Sequence, residues 1–581
     1  MINAAKEKLQ TFFQGNIRYI VPFFQRPYVW DTDNWDSLWE NIYQVYIDNQ
    51  QMKKSEHFIG TLITKQIPAD ILGRDWHDLI DGQQRLATLS ILLKSLADCC
   101  KGDFPNLKNR INDLLVFKNA KGVQFIRIEL CRNDMPYFKA IVQGDGVCGL
   151  PNQEHGLIRA YNYFKERVKS FSDEEIDVFV SVILEKVPVI SMLLSSDDDE
   201  QVIFDTINSL GVRLTTAELL KNYIFKEKQL QDLYDDLWEP VFDPDEETVR
   251  FWNKEKTAGR MFRTNIEVLL YCYLIIETQR EIRLERLYKE YKEWLVNKTV
   301  DEKIAFLNSL KQYANYYFNF PEGEELNEIA YDDDEKRFFH IIDNLSITTA
   351  YPLILFIYKE VTDINERKAI LKLLESYLVR RNICRLTTKN YNNLFISIIQ
   401  KLKKLRQDNN AISVDLLKGI LASFSEETNL FPNDSDFELA FQQTQLSNQN
   451  SREILFCIAL YQKSSPLYDI KKLSSSSYSV EHFMPVKWQD NWMSLGIDEN
   501  GKAVRNRALK TLGNLTLVTK RLNSKLSNAA WGQKKGILKQ YSSLSMTTDY
   551  LEYANWDEKC ISARSRDLFS QSAIKMWSYH S

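Results

Sequence analysis

Histidine is scarce in this 581-residue chain, with six in all, and the eight cysteines are scattered without a single C-x-x-C spacing. That pattern excludes a zinc ribbon or a dithiol redox centre and leaves any metal to oxygen and nitrogen ligands. No apolar run reaches the roughly 20 residues that a membrane helix needs. The longest, "LLYCYLII" at 269–276, reads as a core helix, and the opening "MINAAKEKLQTFFQ" has no long apolar stretch of a secretory signal. No fixed-period repeat suggests a solenoid, and no G-x-x-x-x-G-K phosphate loop occurs. The expectation is a cytoplasmic protein without membrane association.

What is present is an ordinary globular composition, 44% hydrophobic and 26% charged, over a length that allows several domains of about 100–200 residues. The formal charge is only -5, which argues against a protein that coats nucleic acid along its whole length, but the charges are segregated. Residues 502–540 hold ten Lys or Arg and no acid, whereas 231–248, "QDLYDDLWEPVFDPDEET", hold eight acids and no base. Such segregation fits a discrete anion-binding surface on a neutral-to-acidic body; a solvated basic helix face is the plainer alternative.

Along the chain, "IRYIVPFF", "HFIGTLIT" and "WHDLID" read as short strands. After "DGQQR", Leu86, Leu89, Leu92, Leu93 and Leu96 recur at helical spacing, so that loop leads from a strand into a helix. Residues 155–430 read as predominantly helical, with segments such as "FRTNIEVLLYCYLIIETQREIRLERLYKEYKEWL" and "ERKAILKLLESYLVRRNIC". Polar, turn-rich stretches between 405 and 450 mark a further boundary, and the serine run Ser474–Ser477 reads as a flexible lead into the strand-like segment after it. The expected fold class is α+β and predominantly helical: an N-terminal α/β domain at 1–230, a helical connecting region at 231–430, and a C-terminal module at 431–581.

That module contains "YSVEHFMPVKW", where His482 follows Glu481. The pair alone does not separate a catalytic base from a solvated strand end. Further on, "TLGNLTLVTKRLNSKLSN" places Asn514 before a strand-like run and Asn523 nine residues later in a helix, in the order strand, turn, strand, helix. This resembles the ββα-metal, or HNH, nuclease motif in an H-N-N form. The chemistry asks for these residue types: a neutral imidazole to deprotonate water near pH 7, and hard oxygen ligands for Mg²⁺ or Mn²⁺ to stabilise charge on the phosphate. The resemblance implies His482 as base, Glu481 and Asn523 as metal ligands, and Asn514 as the brace of the loop that carries the base. Neighbouring residues on a strand point oppositely, so Glu481 and His482 share a site only where the strand ends, which Pro485 favours. Lys525, Lys534 and Lys535 are expected to contact DNA phosphates.

Near the N-terminus, "VPFFQRPYVW" at 21–30 accompanies "DLIDGQQRLATLSILL" at 78–93. Gly82 permits a tight turn, the helix after it offers free N–H groups to a phosphate, and Arg85 has the geometry to clamp one. Gln83 and Gln84 are placed to orient a water or read a polar edge. Phe23, Phe24, Tyr28 and Trp30 either line a pocket that stacks a base or belong to the core, the second being favoured for at least two of them. The pair of motifs resembles the N-terminal domain of GmrSD-type, modification-dependent (type IV) restriction endonucleases, whose fold is similar to ParB and sulfiredoxin. "FDTINSLGVRLTTAELLKNYIF" at 204–225 fits the third segment of that family, with Leu210 where many members carry Arg, and "YLVRRNIC", "LFPNDSDFELAF" and "EHFMP" come next in the family's order. The resemblance implies NTP binding and hydrolysis, with Gln25, Arg26, Asp81, Gly82, Gln83, Gln84 and Arg85 as nucleotide-site residues. It implies an NTP-regulated, metal-dependent endonuclease acting on foreign, modified double-stranded phage DNA, with a homodimer as the simplest assembly for double-strand cuts. A nucleotide-switched DNA-binding regulator with an inactive or RNA-directed nuclease module is the alternative, and a phosphotransferase on the sulfiredoxin-like fold is a third reading.

Overall fold

The computed structural model describes residues 3–579 except 23–24, 26, 68–74, 105, 120–121, 132, 145–149, 151, 195–215, 226, 259–260, 409, 466–471, 490 and 493–496. Arg26, Phe23, Phe24 and the Asn208–Gly211 turn with Leu210 therefore lie outside the described residues. The chain divides into two compact units, Met1–Gln231 and Asp232–Ser581.

The first unit is built on a six-stranded mixed sheet. Its strands are β1 (Asn3–Lys8), β2 (Arg18–Ile20), β3 (Thr61–Gln66), β4 (Trp76–Asp81), β7 (Ile128–Glu129) and β8 (Pro188–Leu194), in the order β1-β8-β3-β4-β2-β7; β5 (Val116–Lys118) and β6 (Gln124–Ile126) form a separate antiparallel pair. The three strands read from the sequence are β2, β3 and β4. Three more, β1, β7 and β8, were missed. β8 lies in a region read as helical because "PVISMLL" is a nearly continuous apolar run, and such a run has the same signature in a buried strand and a buried helix. β1, "NAAKEK", has no β-branched or aromatic residue and is held by its antiparallel ladder to β8.

The helices of this unit are α1 (Thr32–Gln50), α2 (Gln83–Cys99), α3 (Leu107–Leu115), α4 (Met135–Gln143), α5 (Gly156–Val168) and α6 (Asp173–Lys186). α2 is the central one: Leu86, Leu89, Leu92, Leu93 and Leu96 are all fully buried, and the helix packs along α5. It starts at Gly82, whose φ of +97° is left-handed; a Cβ there would stand 2.0 Å from Leu62 Cδ2, so only glycine closes the β4-to-α2 turn. Tyr28 is buried in the core and Trp30 packs against it, which is the core reading of those two aromatics.

The second unit is predominantly helical. The long helical segment read at 262–295 is two helices, Asn265–Thr278 and Leu287–Leu295, separated at Gln279, which takes a left-handed φ of +54°. "ERKAILKLLESYLVRRNIC" falls in the helix Ile364–Ile383. Short antiparallel pairs join remote segments: β9 (Glu255–Ala258) with β10 (Met261–Thr264), β11 (Glu328–Ala330) with β12 (Lys472–Ser474), and β13 (Tyr478–His482) with β14 (Leu515–Thr519). The expected helical connecting region at 231–430, from Asp232 on, and the C-terminal module at 431–581 belong to this one compact unit. One core cluster runs from Ile329 through Val379 and Leu455 to Trp577, and the buried Arg380 donates to the Trp577 and Pro432 carbonyls and to Asp434. Its neighbour Arg381 donates to the carbonyls of Thr387, Glu427, Thr428 and Leu430, so "YLVRRNIC" is a structural joint. The serine run is ordered, with Ser474 closing β12 and Ser475–Ser477 forming one 3₁₀ turn. Among the described residues no helix is long and apolar enough to cross a membrane.

Candidate functional site

At the C-terminal end of the chain, β13 and β14 pair antiparallel, with Tyr478 opposite Thr519 and His482 opposite Leu515. Thr519 then caps the helix Lys520–Leu526 by accepting from the Leu522 N–H. The expected order of strand, strand and helix is therefore present, and it gathers Glu481, His482, Asn514 and Asn523.

Asn514 is fully buried and its amide is used completely. Its Nδ2 donates to the carbonyls of Met484 (2.8 Å) and Leu509 (2.9 Å), and its Oδ1 accepts from the Met484 N–H (2.9 Å) and Trp556 Nε1 (3.1 Å). The Phe483 N–H donates to the Asn514 carbonyl, so the turn that leaves His482 is clamped by Asn514 at both the backbone and the side chain. Asn523 donates through Nδ2 to Ser479 Oγ and the Val480 carbonyl, both at 3.0 Å, which ties its helix to the two residues just before Glu481.

β13 ends at His482, three residues before Pro485, with Glu481 opposite Thr516 and His482 opposite Leu515 in the ladder to β14. Burial pushes the His482 pKa down to about 4, helped by the charges of Lys534 and Lys510, so the imidazole is neutral at pH 7. Burial pushes the Glu481 carboxyl up from its ordinary range, while Lys534 pulls it back down.

Lys534 does not face DNA as expected. It is fully buried on the helix Trp531–Tyr541, 2.5 Å from Glu481 Oε1 and 2.7 Å from the His482 carbonyl oxygen. A buried ammonium is tolerable only with such partners. Of the other two lysines expected at phosphates, Lys525 is exposed beside the Tyr541 ring, and Lys535 is half-buried and donates to the Tyr553 carbonyl. Lys510, Lys520 and Arg521 add exposed positive charge on the same module.

Sequence reasoning missed Arg564. Its guanidinium is fully buried and donates to the carbonyls of Leu512, Gly513, Leu515 and Met546, which brackets Asn514 on both sides. Gly513 is required there, since a Cβ would come within 2.3 Å of the Ile561 carbonyl oxygen. "ISARSRDL" offers no motif that would have revealed this role.

The motif residues of the first unit are mostly engaged with one another. Gln25 Nε2 donates to the carbonyls of Leu79 and Ile80 in β4. Gln84 accepts from the Val29 N–H and donates to the Pro27 carbonyl, which clips the 27–29 segment onto α2. Arg85 pairs with Asp81 at 2.8 Å and donates to the Ile59 carbonyl. Gly82 provides no side-chain cap, so the N-terminus of α2 keeps the character of an anion cradle. Gln83 and Gln84 line a small recess of about 10 Å³ with Val21, Tyr28, Ala87 and Asp134. Asp134, another residue the sequence did not suggest, accepts from the Tyr28 N–H at 2.7 Å and lies 3.3 Å from His155 Nε2.

The family model for the N-terminal domain of the GmrSD restriction endonuclease matches residues 9–225, and the model for the C-terminal domain of GmrSD restriction endonucleases matches residues 431–571. No curated protein matches the chain.

Proposed function

Because this chain belongs to the GmrSD restriction endonucleases, we propose that it is an NTP-regulated, divalent-metal-dependent endonuclease that cuts modified phage DNA through an HNH-type site. As a member of that family it is a restriction endonuclease of phage defence, and its substrate is DNA. The finer reading is carried by one observation: the Glu481–His482 pair at the end of β13, braced by Asn514 and joined by Asn523 from the helix after β14.

In this reading His482, neutral at working pH, takes the proton of the attacking water. Asn514 holds the backbone from which the imidazole projects, and the exposed Lys510, Lys520, Arg521 and Lys525 bind phosphates without reading sequence. The Glu481 carboxylate and the Asn523 amide oxygen are hard donors that suit Mg²⁺ or Mn²⁺ in kind. Among the described residues no group of three or more His, Cys, Asp or Glu gathers to hold a metal, so water and DNA phosphate would complete the shell. The bound cation would neutralise charge on the phosphate and the leaving oxygen. Nucleotide binding is assigned to the start of α2, where uncapped N–H groups follow Gly82 and Arg85 lies one turn in. One such nuclease centre per chain favours a homodimer for double-strand cuts.

The test is cleavage of unmodified, glucosylated and phosphorothioated DNA with Mg²⁺ or Mn²⁺, with and without each NTP, beside His482→Ala. Strand scission only by the wild type, enhanced on one modified substrate, is the expected result. Equal nicking by both proteins, or tight binding without scission, would sink the catalytic assignment.

A further inference from the structure

The burial of Lys534 is the least expected feature of the basic segment 502–540. Neighbouring lysines reach solvent, but this one turns inward from the helix Trp531–Tyr541 and places two of its three N–H donors on adjacent residues of one strand end. One acceptor is the carboxylate of Glu481; the other is the backbone carbonyl of His482. Both acceptors belong to the pair proposed to do the chemistry. A lysine ammonium and a divalent cation offer a buried carboxylate the same thing, and two cations held against one small carboxylate in a desolvated site repel each other.

We propose that Lys534 is a positioning residue of the nuclease site, whose ammonium fixes Glu481 and the His482 carbonyl and competes with the divalent cation for the Glu481 carboxylate. This rests on the reading of Glu481, His482 and Asn523 as the nuclease centre. The lysine keeps the carboxylate paired and ordered when no metal is bound, and a metal that binds must displace Lys534 from it. The proposal differs in sign from ordinary support of a ligand. Loss of a supporting partner commonly weakens metal binding by about 10–100-fold, whereas loss of a competing cation strengthens it.

Full-length Lys534→Gln keeps an amide donor for the carbonyl and the carboxylate but removes the charge; Lys534→Met removes both. Mn²⁺ affinity is measured by titration calorimetry without DNA or NTP, and kcat and KM by plasmid cleavage. Lys534→Gln should bind Mn²⁺ roughly tenfold more tightly than wild type while kcat falls about tenfold, with KM for DNA unchanged. Weaker or unchanged Mn²⁺ affinity overturns the proposal. So does a raised KM with kcat retained and a shallower salt dependence, which is the signature of a phosphate contact.

A measurement on the wild-type chain avoids any loss of folding in the variants. Amine acylation followed by peptide mass spectrometry should find Lys534 protected without metal and modified once Mg²⁺ is added; protection unaffected by Mg²⁺ overturns the proposal. Neither the calorimetric nor the acylation result depends on cleavage. A wild type that binds Mn²⁺ competitively but cuts no DNA would therefore refute the proposed function and leave only the competition between Lys534 and the cation for Glu481 standing.

Discussion

At the start of α2, Gln25, Gln84 and Arg85 direct their side chains to carbonyls and N–H groups of neighbouring segments, and the Asp81–Arg85 pair is closed upon itself. At the end of β13 the labour is divided differently. Asn514 and Arg564, both fully buried, carry the backbone, while His482 is half-buried, with Lys534 donating to its carbonyl and to the Glu481 carboxylate. In the first unit the motif residues build the loop themselves. In the second, the motif residue Asn514 builds the loop together with Arg564, about 50 residues further along the chain. A polar motif therefore signals that a shape is required, and only its hydrogen-bond partners tell whether the motif makes the shape or uses it.

The contrast is broken most directly at His482. His482→Ala should reduce cleavage by about 10²–10⁴-fold, the usual worth of a general base, with the melting temperature within error of wild type. A large loss of stability instead would show that His482 builds the loop, as Gln84 does.

Arg564→Gln should do the reverse. It leaves several of four buried carbonyls without a donor, at a cost on the order of 3 kcal/mol. Chemical denaturation of the second unit should shift accordingly, and cleavage should fall as the Asn514 loop loosens.

In the first unit, Gln84→Ala removes the clip on Val29 and Pro27 and should cost about 1–2 kcal/mol. Nucleotide affinity, measured by calorimetry at a temperature where the variant is folded, should weaken only modestly. Complete loss of binding with unchanged stability would instead make Gln84 a nucleotide contact.

The smallest effect concerns pH. The folded-state pKa of His482 lies at about 4, below its ordinary 6.5, so the unfolded chain takes up the proton first as pH falls between these values. This stability is present above pH 6.5 and is lost as pH falls through about 4. A cation beside Glu481 would depress the imidazole further, in the same direction. Cleavage should show no acid limb near 6.5, and the denaturation midpoint of wild type should fall more than that of His482→Ala on moving from neutral pH towards 5.

Much of this protein could be read along the chain because the signals are local. A glycine before an apolar helix with "DGQQR" marks a strand-to-helix turn, and Gly82 has the left-handed φ that such a turn needs. "SVEHF", "NLTLV" and "TKRLNSKL" carry the β-β-α order in their own propensities, and the structure has strands and helix at those places. The helical segments at 364–383 and 83–99 follow from the apolar periods within them.

What the chain order could not determine was which charges would be buried. Lys534 stands in a run of ten basic residues, and nothing local separates it from Lys535; the helix Trp531–Tyr541 turns one inward to Glu481 and leaves the other half-buried near Tyr553. Arg564 and Arg380 look like ordinary helix-surface charges until carbonyls of loops some 50 residues away converge on them. The same holds for the joining of 231–430 with 431–581, which depends on a core shared by residues as distant as Ile329 and Trp577. Periodicity and turn chemistry are properties of neighbours in sequence and survive without the fold, whereas desolvation and the pairing of a buried charge exist only once remote segments have packed around it.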